Sequence, residues 1–335
     1  MNIIIPMAGM GKRLRPHTLT IPKPLIHVGG KPIVQRLVED ITKVCGEKIN
    51  EIAFIISPLF GKEVEKNLIE IAAAQGAKGV IYYQEVALGT AHAVMCAAPA
   101  LIGKTVVAFA DTLFKADFVM DTNNDGAIWV QRIDDPRQFG VVKLNNEGFI
   151  TEFVEKPQEF VSDLAIIGIY YFKDGDYLKK EIQYLLDNDI KDKGEFQLTN
   201  ALENMKNKGT KFVPGKVSEW LDCGNKEATV FTNQRVLEYD KGKTHLRSSS
   251  AKIENSVIIE PCFIGENVVL KNSIVGPHVS IGANSKLNDT IIKNSIVQQN
   301  SKINCANLQD SMIGNYVEIN GIAADLNLGD HTISK

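Results

Sequence analysis

The chain has 335 residues, 44% of them hydrophobic, and 37 Lys and Arg against 40 Asp and Glu leave a formal net charge of −3. This is the size and balance of a soluble protein of about two domains, and it points to neither nucleic acid nor membrane as a partner. No apolar run approaches the roughly 18 residues of a membrane span, the N-terminus lacks a signal-peptide pattern, and the scattered Cys45, Cys96, Cys223, Cys262 and Cys305 form no C-x-x-C pair, so reduced thiols in the cytoplasm are expected.

The first element is a short apolar strand, Ile3–Ile5. It runs directly into Met7-Ala8-Gly9-Met10-Gly11-Lys12-Arg13-Leu14-Arg15-Pro16 and then Ile21-Pro22-Lys23-Pro24-Leu25. The first 38 residues carry six basic side chains (Lys12, Arg13, Arg15, Lys23, Lys31, Arg36) and no Asp or Glu. Glycines at 9 and 11 let backbone N–H groups approach an anion closely. Arg13 and Lys23 add full charges, so the loop suits a polyanion such as a nucleoside triphosphate. No Walker A loop is present, and Leu14 stands where a dinucleotide fingerprint needs its third glycine.

Ile33, Val34, Leu37, Val38, Ile41 and Val44 then fall on one face of a helix. Ile52–Ile56 reads as a strand, followed by a helix carrying Val64, Leu68 and Ile71. Val80–Gln84 is a third strand, Ala91–Ala97 a helix and Thr105–Ala110 a fourth strand, after which Asp111 closes the apolar run. Such alternation predicts an α/β fold with a Rossmann-like, mostly parallel sheet whose ligands sit at the carboxyl ends of strands. That rim would carry the glycine loop, Gln84 and Asp111. From Ala127 to Phe172 the pattern is β-rich, and helices follow at Tyr177–Leu186 and about 198–208. The polar stretch Lys241–Ser250 reads as a linker between a first domain, 1–240, and a second, 251–325.

Beyond the linker the period changes. Ile253, Ile259, Ile264, Leu270, Val275, Ile281, Leu287, Ile292, Val297, Ile303, Leu308, Ile313 and Ile319 recur every five or six residues. Asn255-Ser256-Val257-Ile258, Asn272-Ser273-Ile274-Val275 and Asp289-Thr290-Ile291-Ile292 add a second repeat at 17-residue spacing. A hexad per face and three faces per turn predict a hexapeptide β-helix of roughly four coils, each of about 18 residues. Its flat sides and open ends invite pairing with another subunit, so a homo-oligomer is expected.

Candidate chemistry begins at Asp111, which is placed either to hold Mg²⁺ opposite the glycine loop or to cap a turn. A second acid, Asp222, ends Glu219-Trp220-Leu221-Asp222-Cys223-Gly224. Gln84 offers a donor and an acceptor to the imide edge of thymine or uracil, with Gly89 allowing close backbone approach. The bland alternative is a strand end running into a helix N-terminus that Thr90 caps, with His92 structural.

Together, G-x-G-K-R-L-R-P, P-K-P at 22–24 and W-L-D-x-G at 220–224 resemble the signature of sugar-phosphate nucleotidyltransferases, and the resemblance covers about the first 235 residues. Within that family the chain looks most like long-type glucose-1-phosphate thymidylyltransferases with a C-terminal left-handed β-helix. Uridylyl- and guanylyltransferases share much of the pattern. The resemblance implies a nucleotide site at Ala8, Gly9, Gly11, Lys12, Gln84, Gly89 and Thr90. It implies a sugar-phosphate site at Gly140, Glu155, Lys156 and Ile166, a Mg²⁺ pair at Asp111 and Asp222, and catalytic roles for Arg13, Lys23 and Lys156. The chain departs from the pattern at Lys12 (usually Thr), Ala110 (often Gly), Ile167 (often Thr) and Asn200 (Asp).

The expected reaction is transfer of a nucleoside monophosphate from dTTP to glucose 1-phosphate, releasing pyrophosphate. UTP- or GTP-dependent transfer is the nearer alternative. Hexapeptide β-helices also house acyltransferases, which need a general base, and here only His278 or His331 could supply one. A non-catalytic sugar-nucleotide sensor would have no need of the paired aspartates.

Overall fold

The computed structural model describes residues 1–116, 118–242 and 246–322. The chain opens with β1 (Asn2–Pro6), a small hairpin of β2 (His27–Val28) and β3 (Lys31–Pro32), and helix α1 (Ile33–Cys45). Strand β4 (Glu51–Ile56), α2 (Lys62–Ala74), β5 (Lys78–Tyr83), α3 (Thr90–Met95), β6 (Thr105–Ala108) and β7 (Thr112–Lys115) follow. Next come β8 (Gly126–Arg132), β9 (Gly140–Leu144), β10 (Ile150–Glu155), β11 (Leu164–Phe172), α4 (Gly175–Asp187) and α5 (Leu198–Asn207). The first part closes with β12 (Phe212–Lys216), β13 (Glu219–Asp222) and α6 (Lys226–Asp240).

Contacts divide the chain into two compact units, residues 1–26 with 32–225, and residues 27–31 with 226–335. The first unit is built on a nine-stranded sheet whose main path runs β10-β9-β11-β6-β1-β4-β5. β6, β1, β4 and β5 are parallel, while β11 pairs antiparallel with β6 and β8. β1 and β6 are buried along their whole length and β4 is buried from Ile52 to Ile56, as expected where helices cover both faces of a parallel sheet. All six apolar positions read on α1 are buried. β6 ends earlier than the sequence suggested, at Ala108, because the backbone N–H of Phe109 turns to the carbonyl of Gly168 on β11. Asp111 therefore sits in the bend before β7 rather than on the strand.

The second unit is a left-handed parallel β-helix with three sheets of five, four and four strands. Its coils are 17 residues long at first, Lys252 pairing with Val269 and then Lys286, and 16 thereafter, Lys286 pairing with Lys302 and then Glu318. The expected 18 is too long because the chain turns at single residues in the left-handed region: Asn255, Asn272, Asp289 and Cys305 at one corner, and Asn267, Asn284, Asn300 and Tyr316 at another. Asn and Asp tolerate that conformation best among non-glycine residues. Their side chains stack into ladders, the Nδ2 of Asn255 donating to Asn272 at 2.9 Å and that of Asn272 to Asp289 at 3.1 Å. The next residues form a hydroxyl ladder, with Ser256 accepting from the backbone of Ser273 and Ser273 from that of Thr290. These two ladders explain the Asn-Ser repeat.

Counting from that corner also corrects one inward position. Ile258, in register with Val275, packs on the coil core, and Ile259 is exposed. One face of the β-helix, carrying Ser280, Ile296 and Met312, is buried, with α6 packed along it. Residues 226–240, read from the sequence as the end of the first domain, thus group with the coils. The link is Asn233, fully buried, whose Oδ1 accepts from the N–H of Gly29 and the hydroxyl of Ser280 while its Nδ2 donates to the carbonyl of His278. Of the expected linker, residues 243–245 lie outside the described residues, as do 323–325 of the expected β-helix and His331.

Candidate active site

Two adjoining cavities open in the first unit. The larger, of about 520 Å³, is lined by the loop from Pro6 to Arg13, Lys23, Gln84, Gly89, Thr90, Ala110, Asp111 and Glu195, among others. The smaller, of about 190 Å³, is lined by Gly140, Glu155, Ile166, Tyr170, Thr199, Trp220 and Asp222, among others. Arg13, Thr90, Phe109 and Asp111 line both. Every residue assigned to the nucleotide site from the sequence lines the larger cavity. Gly140, Glu155 and Ile166 line the smaller one.

Each lining follows from the topology. The glycine loop leaves the carboxyl end of β1, with Gly11 in the left-handed region at φ 57°. A side chain on Gly11 would also press on Lys23 and Thr18 at 3.0 Å. Gln84 follows β5 directly. Asp222 ends β13, which pairs antiparallel with β7 so that Asp222 faces Thr112, and the backbone N–H of Cys223 donates to the carbonyl of Asp111. This pairing brings two aspartates distant in sequence to one place. A Cβ added at Gly224 would stand 2.9 Å from an Asp222 oxygen and 3.1 Å from an Arg13 nitrogen, which sets Arg13 beside Asp222.

The electrostatics are those of an acid pair with a lysine set against it. The ammonium of Lys23, 7% exposed, donates to Asp111 Oδ2 at 3.0 Å. Asp222 is pushed above its ordinary pKa of 3.8, first by burial and then by the charge of Asp111, against the pull of Lys23 and Arg13. The two carboxylates therefore repel each other across a short distance. Among the described residues no cluster of three or more His, Cys, Asp or Glu is placed to hold a metal.

Some expectations are modified. Lys156 lines neither cavity; its ammonium lies 3.2 Å from Glu155 and its side chain is about half exposed. Gly89 is required for another chain segment: at φ 118° any Cβ there would strike the backbone of Phe196 at 2.5 Å. Thr90 does not cap α3, its own helix; its hydroxyl donates to Gln197 and accepts from the N–H of Leu198, the first residue of α5. Gln84 points its Nε2 to the carbonyl of Gly89 at 3.4 Å and to Nδ1 of His92 at 3.1 Å. That donor is occupied, so Oε1 alone remains for a ligand.

Two lining residues were assigned no role from the sequence. Thr199, on the first turn of α5, donates to Glu155 at 3.4 Å; it belongs to the run Gly194–Asn200, which resembles a family motif and in which Asn200 is the departure. Tyr170 is a strand residue in an apolar run, yet it lines the smaller cavity. Burial, with the charges of Glu155 and Asp111 adding, raises its phenol pKa, so it stays a proton donor.

Comparison with known proteins agrees with this geometry. The nucleotidyl transferase family matches residues 2–238. A low-salt glycan biosynthesis nucleotidyltransferase of Haloferax volcanii is 31% identical over 94% of this chain and 92% of its own length. A glucose-1-phosphate thymidylyltransferase of Streptomyces antibioticus is 26% identical over 99% of this chain and 98% of its own, and a bifunctional protein GlmU of Methanococcus vannielii 29% over 100% and 83%. A solved structure of a candidate glucose-1-phosphate thymidylyltransferase from Bacillus anthracis superposes with a TM-score of 0.59 at 25% identity, covering 69% of this chain and 93% of that one. With a glycine loop, a lysine–aspartate rim and this match over most of its length, the chain belongs to the nucleotidyl transferase family.

Proposed function

We propose that this protein transfers a nucleoside monophosphate from a pyrimidine NTP, dTTP by preference, to glucose 1-phosphate, giving the NDP-sugar and pyrophosphate. The observation that carries the reading is the pair of cavities meeting at Arg13 and Asp111, a geometry suited to two phosphorylated substrates. Family membership and relatives named for thymidylyl transfer to glucose 1-phosphate support the reaction class.

The phosphate oxygen of the sugar is already anionic, so no general base is required. It attacks the α-phosphorus, the α–β bridging bond breaks, and the electron pair leaves with pyrophosphate. Catalysis then reduces to alignment and charge neutralisation. In this reading the loop from Ala8 to Lys12 cradles the triphosphate, and Arg13 neutralises the departing β,γ-phosphates. Lys23 exchanges Asp111 for the α-phosphate as the nucleotide enters. Glu155 accepts from sugar hydroxyls, with Thr199 donating to it, and Tyr170 presents a donor on the same wall. Lys156 would have to leave Glu155 to reach the sugar phosphate.

Two carboxylates kept apart in charge, all-oxygen and without a third protein ligand, fit a hard divalent cation that completes its shell from water and phosphate, and not a zinc set. Asp111 and Asp222 would hold Mg²⁺, which supplies Lewis-acid polarisation of a phosphoryl oxygen when bound.

Free thiols at all five cysteines support a reducing, cytoplasmic setting, and no helix among the described residues is long and apolar enough to cross a membrane. Self-association is part of the same reading: Val257, Ile274 and Ile291, stacked in register on one face of the β-helix, are 57%, 41% and 49% exposed. For the acyl-transfer alternative, Nε2 of His278 pairs with Glu238 at 2.6 Å, and His331 lies outside the described residues. Pyrophosphate release from five NTPs against several sugar 1-phosphates tests the reading. A keto-pyrimidine paired with glucose 1-phosphate should lead; a clear preference for GTP, or no release with any pair, overturns it.

A further inference from the structure

Gln84 is 9% exposed and stands at the end of β5 on the wall of the larger cavity. Its amide has two ends that a rotation of half a turn would exchange, and the two orientations read opposite bases. One orientation offers Oε1, which accepts from the imino N–H of uracil or thymine. The other offers the NH₂, which donates to the ring nitrogen of cytosine. A freely rotating glutamine would serve both.

The structure removes that freedom. The amide nitrogen lies 3.4 Å from the carbonyl of Gly89 and 3.1 Å from Nδ1 of His92. A carbonyl can only accept, so the NH₂ must face this pair. The carbonyl contact is at the limit of a hydrogen bond, which leaves His92 as the main anchor. For His92 to accept, Nδ1 must be bare and the proton must sit on Nε2. Burial lowers the pKa of His92 below its ordinary 6.5, in keeping with a neutral ring. His92 does not line the cavity; it stands behind Gln84 on α3.

We propose that His92 is a positioning residue for base selection: by accepting from the Gln84 amide it fixes Oε1 toward the ligand and so admits bases with an imino N–H while excluding cytosine. This rests on the larger cavity being the nucleotide site. The selection is negative as much as positive, since a locked acceptor facing the bare N3 of cytosine leaves two lone pairs opposed.

UTP and CTP share size and ribose and differ at this edge, so they make the test. In His92→Leu, which keeps bulk and removes the acceptor, the ratio of kcat/KM for UTP over CTP should fall about tenfold. Part of that fall should be a gain for CTP, with kcat for UTP nearly unchanged. His92→Asn, whose Oδ1 stands near the position of Nδ1, should restore the ratio. Damage to the fold would lower both nucleotides together. His92→Ala serves if the leucine variant does not fold.

Calorimetric binding of UTP and CTP to the same proteins reads the same selectivity without turnover. An unchanged UTP-to-CTP ratio in folded His92→Leu and His92→Ala, or equal losses in the leucine and asparagine variants, overturns the proposal. Absence of nucleotide binding by the unaltered protein would instead overturn the assignment of the cavity, and the proposal with it.

Discussion

Arg13 lines both cavities and Lys23 the larger one, where it holds Asp111, and their substitution separates catalysis from binding. Arg13→Ala and Lys23→Ala should each lower kcat far more than they raise KM, because their charges meet a phosphate whose charge shifts in the transition state. Loss of one such donor costs on the order of 100- to 1,000-fold in rate; steady-state kinetics with near-normal turnover in both variants would exclude the assignment. Asp222 gives a prediction of opposite sign for stability. Its pKa is raised in the fold by burial and by Asp111, so the folded state holds its proton more tightly than the unfolded one. Stability contributed by this group is therefore lost as pH rises above 3.8 through the raised value. Asp222→Asn removes that cost. With EDTA present at neutral pH it should melt higher than the unaltered protein, the difference vanishing near about pH 3, while its turnover falls. Equal melting curves at neutral pH would show that Asp222 carries no strain.

At the scale of elements, the glycine loop, the parallel sheet and the rim carrying Gln84 were legible because each is announced locally, by glycine spacing, by apolar runs or by the residue after a strand. The pairing of β13 with β7 was not, since strands of four residues in polar surroundings have no period of their own; it is this pairing that brings Asp222 to Asp111. Tyr170 was hidden for the same reason, and Thr199 stood in a motif without a role: what a polar atom on a buried element does is defined by what folds opposite it. The ion pair of Lys156 with Glu155 is the plain alternative that an E-K-P turn always carries, because a turn motif does not say which neighbour will hold its charge. The allegiance of α6 was equally silent, resting on polar contacts of Asn233 and Glu238 that have no period. Asn233→Ala removes the acceptor of the Gly29 N–H and of the Ser280 hydroxyl, and one of two donors to the carbonyl of His278, which keeps the N–H of Ser295. A buried polar group left unpaired costs about 1–3 kcal/mol, so this variant should unfold at clearly lower urea than the unaltered protein. An unchanged midpoint would mean that water replaces all three bonds.

At the scale of the molecule, both cavities are lined entirely by residues 6–224, and the coils supply none of the lining. Their exposed Val257, Ile274 and Ile291 predict association between copies of this chain. Light scattering should give a mass above that of one chain, and Ile274→Lys with Ile291→Lys should reduce it while leaving turnover intact; a monomeric unaltered protein would count against this face. The corner ladders carry a consequence of another kind. Backbone pairing repeats at every coil and side-chain ladders reinforce it at several corners, so the length of this unit is a digital quantity. Duplicating one coil, such as residues 272–288, would lengthen the stack by about 4.8 Å and keep the strands of each sheet in register. A difference of one residue is absorbed inside a coil, as the step from 17 to 16 residues shows. Growth by whole coils keeps every sheet in register, which makes this unit a ruler that genetic duplication can extend.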